Sequence, residues 1–72
     1  MEKILWYEIF LYDKKVLRTI NKKEAKTLFK DLMQTYDFFD IRIEEVYECV
    51  NEYGKAVGID ARDISVQILH ED

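Results

Sequence analysis

Seventy-two residues, 49% hydrophobic and 36% charged with a net charge of −4, confine this chain to one small domain. A domain near this size buries only about 60% of the surface its unfolded chain exposes, which supports a modest core and leaves little room for a deep substrate cleft. The single cysteine excludes an internal disulfide or a cysteine-based zinc site, and no stretch approaches the roughly 18 consecutive apolar residues of a membrane span.

Residues 3–12 are rich in β-branched and aromatic types and predict a strand. The apolar run Ile4-Leu5-Trp6-Tyr7 is cut by Glu8 and lacks a small-residue cleavage site. No signal peptide is therefore expected, and the expected setting is cytoplasmic. Asp13-Lys14-Lys15 is a break of hairpin length, without the glycine a tight primed turn prefers. Residues 16–20 resume as a second strand.

Asn21 opens the clearest element. With Asn21 as N-cap, Glu24 falls at the third helical position, and Ala25, Leu28, Phe29, Leu32, Met33 and Tyr36 form one helical stripe. A helix is predicted over about 22–36, followed by an ordered aromatic connection through Phe38 and Phe39. From Ile43 the spacing of Val46, Tyr47, Val50, Tyr53 and Val57 predicts a second helix over about 43–57, with Gly58 as its left-handed cap. A competing reading makes 41–50 a strand and Glu52-Tyr53-Gly54-Lys55 a hairpin turn; the poor alternation there favours the helix. Residues 64–69 alternate as a final strand, and His70-Glu71-Asp72 is expected to fray. The predicted fold is α+β in the order ββααβ, a three-stranded sheet with two helices on one face.

Alternation along the first strand sets Leu5, Tyr7, Ile9 and Leu11 toward the core. The opposite row, Ile4, Trp6, Glu8, Phe10 and Tyr12, places three aromatics on the face expected to be wet. Contiguous apolar patches of this kind mark interfaces, and Trp6, Glu8, Phe10 and Tyr12 are the candidate interface residues. Two intramolecular alternatives stay open: the Phe38–Phe39 connection folds over the row, or one helix covers each face.

Charge is divided along the chain. Residues 1–35 carry eight Lys/Arg against five Asp/Glu, and residues 36–72 carry three against ten. Lys22, Lys26 and Lys30 fall along one side of the first helix, and Glu44, Glu48 and Glu52 along one side of the second as predicted. These bands are candidate charged surfaces, either solvated or facing each other. The lysines at 22, 23 and 26 crowd the positive end of the helix dipole, which an acidic partner, such as the second helix of a sister subunit, would offset.

Residues that carry chemistry are sparse. Two glycines, Gly54 and Gly58, build no phosphate loop; Ser65 has no marked partner; Cys49 sits among acids, the wrong setting for a nucleophilic thiol; His70 is the only histidine. No catalytic residue, cofactor or metal is expected. Asp37 with Asp40 and Asp60 with Asp63 lack the spacing of a calcium loop and suit caps and turns. The expected function is a small non-enzymatic protein–protein interaction or regulatory module, self-associating through an aromatic sheet face. Its expected partner is another protein or a second copy in a homodimer, with no membrane role and nucleic acid disfavoured by the overall acidity. The alternative is an acidic nucleic-acid mimic that uses the acid-rich second half to block a DNA- or RNA-binding protein.

Overall fold

In the computed structural model, which describes residues 2–71, the chain runs β1 (Glu2–Leu11), β2 (Lys14–Thr19), α1 (Lys22–Met33), a 3-10 turn (Phe38–Asp40), β3 (Ile41–Val50), β4 (Ala56–Asp63) and α2 (Ser65–Leu69). The strands form one antiparallel sheet in the order β2-β1-β3-β4. The α+β class and the number of helices agree with the sequence reading; the second helix lies elsewhere in the chain, and the strand number is four, not three.

The first hairpin is tighter than expected. Leu11 pairs with Lys14, so the turn consists of Tyr12 and Asp13, both with positive φ (50° and 65°). That is the backbone of a two-residue primed turn made without glycine. Asn21 caps α1 as predicted, its side chain accepting from the Glu24 N–H at 3.2 Å. The regular helix ends at Met33, short of the expected Tyr36, and Thr35 and Tyr36 N–H groups still bond to the Leu32 carbonyl.

The helix expected over 43–57 is instead β3, a turn and β4. The apolar residues of β3 divide between the two faces of the sheet, which removes the alternation a one-sided strand would show. Ile41 and Ile43 join the core beneath the helices, whereas Val46 is 5% exposed yet lies outside that core, on the opposite face. The spacing of 3 from Ile43 to Val46 thus marks a change of face, not a helical stripe. Gly58 is a strand residue opposite Cys49. The glycine with the conformational role is Gly54, at φ 77°, in a turn that the Asn51 side chain organises by accepting from the Tyr53 and Lys55 N–H groups.

The strand expected over 64–69 is α2. Ile64 and Ile68, four apart, both reach the core, but Val66 between them is exposed, so the apparent alternation was a helical i, i+4 pair with an exposed residue between. Glu71, expected to fray, is held by lysines of α1; Asp72 lies outside the described residues.

Both helices lie on one face of the sheet, because Tyr7 and Ile9 of β1, Ile41 and Ile43 of β3, Ala25 and Phe29 of α1, and Ile64 and Ile68 flanking and within α2 form a single cluster. Leu11, Leu17, Leu28 and Leu32 pack around its margin. The molecule measures 45 × 25 × 17 Å. The core occupies one end, where the second half of β1 crosses the first half of β3. At the other end every residue of β4 and residues 2–4 of β1 are exposed.

Two substitutions check this arrangement. Phe29→Ala removes a fully buried ring and should cost about 3–5 kcal/mol, enough to unfold a domain of this size, in a urea titration. Gly54→Ala meets no atom within 4 Å, so it should cost only the backbone strain of its positive φ, about 1 kcal/mol.

Candidate functional site

The face of the sheet opposite the helices carries the aromatic row, with a roof that composition did not suggest. Strand pairing sets Glu8 opposite Arg18 of β2 and Glu44 of β3, and Phe10 opposite Lys15 and Arg42. The Arg18 guanidinium lies 4.6 Å from the Trp6 ring centre, and that of Arg42 lies 4.3 Å from Phe10. Carboxylates hold each one: Glu8 bonds Arg18 at 3.1 Å, and Arg42 is bonded by Asp13 at 3.0 Å and Glu44 at 2.7 Å. Trp6 and Phe10 are consequently half-buried. Neither Phe38 nor Phe39 folds over them: Phe38 stacks edge-on with Phe29 at the core, and Phe39 is 90% exposed.

Glu8 is the centre of this layer. It is 8% exposed although no helix covers it, and it also pairs with Lys15 at 2.8 Å. Burial alone would raise its pKa, but the hydrogen bonds from Lys15 and Arg18 outweigh burial and hold it below the ordinary 4.5. The neighbouring Trp6 N–H adds to this by favouring the ionised carboxylate, yet its buried Nε1 completes no hydrogen bond. Glu8 is thus committed within the fold, and Tyr12 has left the row altogether. Its ring sits in the turn, edge-on to Tyr36 at 5.9 Å.

The charged bands also change meaning. Lys22 and Lys26 approach the Glu71 carboxylate at 3.8 and 3.1 Å, and the Lys30 ammonium donates to the Glu71 carbonyl. The Lys26 bond, then that from Gln67, hold the Glu71 carboxyl below its ordinary pKa. The acidic partner of the lysines is therefore the chain's own end after α2. Glu44, Glu48 and Glu52 form no band, since the helix that would align them is absent: Glu44 and Glu48 belong to β3 and Glu52 to the turn.

A cleft of about 450 Å³ opens where the first turn, the 3-10 turn and the start of α2 meet, lined by Phe10, Tyr12, Phe38, Phe39, Arg42 and Asp63 among others. Two of its three acids serve the fold: Asp13 pairs with Arg42, and Asp63 accepts from the Ser65 N–H at 2.8 Å; the third is Asp40. Ser65 is buried, and its hydroxyl accepts from the Ile43 N–H at 3.1 Å where β4 leaves the sheet. Cys49 is half-buried in β3, His70 caps the exposed end of α2, and among the described residues no group of three His, Cys, Asp or Glu is placed to hold a metal.

What the roof leaves bare is the far half of the sheet. Arg62 covers part of its helix-side surface, stacking over Tyr47 at 4.4 Å and bonding Glu45 at 2.9 Å and Glu2. Beyond it Ile4, Tyr53, Val57 and Ile59 stand exposed, Tyr53 at 83% and Ile59 at 63%. Sequence reasoning missed this surface, because it assigned Tyr53, Val57 and Ile59 to a helix and its cap and Ile4 to the aromatic row of the first strand. No protein-family model, curated protein or solved structure matches the chain.

The pairing around Glu8 predicts a pH signature. A carboxyl whose pKa is lowered by folding adds stability that is complete above 4.5 and is lost as pH falls through the lowered value. Glu8→Gln should therefore cost about 1–2 kcal/mol at pH 7. The difference between variant and wild type should shrink as urea titrations are moved from neutral pH to below the carboxylate range.

Proposed function

We propose that this chain is a non-enzymatic protein-interaction module that binds through the bare half of its sheet, where β3 and β4 extend beyond the helices. One observation carries the reading: β4 is exposed along its whole length, and the apolar side chains of Tyr53, Val57 and Ile59 stand bare on it and in the turn before it, with Ile4 also exposed on β1 across β3, none of them covered by a described element. A small domain gains by burying such groups, each worth about 1.5–3 kcal/mol when fully covered, and here that gain is left to a partner. The aromatic row, roofed by arginines, supports the fold more than it offers a contact. This moves the proposed interface from Trp6 and Phe10 to the hairpin.

The nucleic-acid-mimic reading draws less support. A mimic needs unpaired acids in a phosphate-like row, and Glu44, Glu45 and Glu71 of the acidic half are each paired with the chain's own Arg or Lys.

The test compares immobilised wild-type protein with a triple variant, Ile4→Glu, Val57→Glu and Ile59→Glu, whose melt is checked first. All three sites are exposed, so the fold should stand. Proteins retained from an extract of the source cells, and soluble copies of the chain itself, should bind the wild type and be lost from the variant. Equal retention by both would remove the hairpin as the interaction surface.

A further inference from the structure

We infer that the partner of the β4 edge is a second copy of this chain, paired antiparallel about a two-fold axis through Ile59 to give one continuous eight-stranded sheet. The inference rests on the interaction-module reading and names its partner.

The two edges of the sheet are built differently. The β2 edge is six residues long, carries Lys14, Lys15 and Arg18, and is distorted by a bulge opposite Ile9 and Phe10. Short length, lysines and a bulge are the devices that keep an edge strand from pairing. The β4 edge is eight residues long and has no lysine or proline within it. Its one bulge lies opposite Cys49 and Val50, near the turn, and leaves the stretch from Gly58 to Asp63 regular.

The main chain of β4 is oriented for pairing. The Ile64 N–H donates to the Ile43 carbonyl at 3.0 Å. Alternation of an antiparallel ladder from that pair directs the N–H and C=O groups of Asp63, Ala61 and Ile59 away from β3. The Ala61 N–H is met there by the Asp60 carboxylate at 2.8 Å, a bond that a carbonyl of a partner strand would replace.

Self-pairing must also avoid opposing like charges, and this selects the register. Two-fold pairing centred on Asp60 sets Asp60 against Asp60. Centred on Ala61, it sets Ile59 against Asp63 and runs out of strand where α2 begins. Centred on Ile59, it sets Ile59 against itself, Gly58 against Asp60 and Val57 against Ala61; beyond Val57 the bulge ends the regular ladder, and the Lys55 carbonyl is turned back to the Asn51 N–H. Of the three, only this register opposes no like charges and sets no apolar side chain against an acid, and it joins Ile59 to Ile59 across its centre.

The test combines mass with a covalent check of register. Light scattering of the full chain should give a species of twice 8.7 kDa that dissociates on dilution. Ile59→Lys sets two ammonium groups face to face and should weaken dimerisation roughly tenfold or more. In a Cys49→Ala background, which removes the only native thiol, Ile59→Cys should be linked to its copy by a mild oxidant. Its partner Cα would stand about 5.5 Å away, within disulfide range. Ala61→Cys should not link, because the two copies would be offset by four residues, roughly 13 Å along the strand. Linking by Ala61→Cys and not by Ile59→Cys would overturn the register, and a dimer insensitive to Ile59→Lys would overturn the edge. A chain monomeric at the highest concentration reached would overturn self-pairing itself. The interaction-module reading would then stand or fall on the capture comparison alone, so the two failures are distinguishable.

Discussion

The structure depends on how little cover the chain can supply for a four-stranded sheet. One twelve-residue helix and one five-residue helix cover half of one face. Much of the remainder is covered by side chains of the sheet itself. All three arginines of the sequence lie over aromatic rings, Arg18 over Trp6, Arg42 over Phe10 and Arg62 over Tyr47, and each is held there by carboxylates. A guanidinium suits this position because it stacks on a ring with its faces while its edge keeps hydrogen bonds to acid and water. Each stack is worth only about 0.5–1 kcal/mol at an exposed site. Its larger effect is to shield the rings, and with them Val46 and Glu8, without a further layer of backbone.

The same economy governs the charge pattern. Lysines near the start of a helix oppose its dipole by a few tenths of a kcal/mol each. Lys22 and Lys26 are offset by Glu71, which the short α2 delivers to their side of α1. Lys30 takes the Glu71 carbonyl, just past the His70 cap of α2. The basic first half and the acidic second half of the chain therefore meet within one molecule. The asymmetry records an internal contact between the chain's parts before it records anything about a ligand.

Legibility in the sequence followed from whether an element is covered on one side only. Helix α1 has one buried stripe and one cap, and both are plain at Asn21, Ala25 and Phe29. Of the core row expected on β1, Tyr7, Ile9 and Leu11 were equally plain, whereas Leu5 falls at a bulge between Ile4 and Trp6 and lies outside the core cluster. β3 was misread because it buries Ile43 on one face and Val46 on the other, so its period is neither 2 nor 3.6. α2 was misread because five residues hold too little pattern to separate Ile64 and Ile68 of a helix from the same pair on a strand. Most of the arginine roof could not be read, since Arg42 and Arg62 meet their rings across strand pairings that depend on β3 and β4 being strands; Arg18 meets Trp6 across the first hairpin, whose turn was expected at Asp13 to Lys15 and so in another register. The candidate surface on β4 was lost by the same error, as Val57, Gly58 and Ile59 looked like the end of a helix.

An edge without protection is a hazard for a protein that must stay alone, and this chain protects one edge and not the other. At β2 it places Lys14, Lys15 and Arg18 and bends the strand. The Lys15 and Arg18 side chains turn inward to Glu8, so the same residues that guard the edge also hold the roof. At β4 the bulge lies near the turn, and along the regular stretch the Ala61 N–H is occupied by the Asp60 carboxylate, an exposed bond of the kind worth about 1 kcal/mol or less. Such a bond discourages casual pairing by strands of arbitrary sequence and yields to one that replaces it with a ladder of main-chain bonds and an apolar row. The asymmetry between the edges is thus a form of specificity: one side is closed to all strands, and the other is open to a strand that matches it.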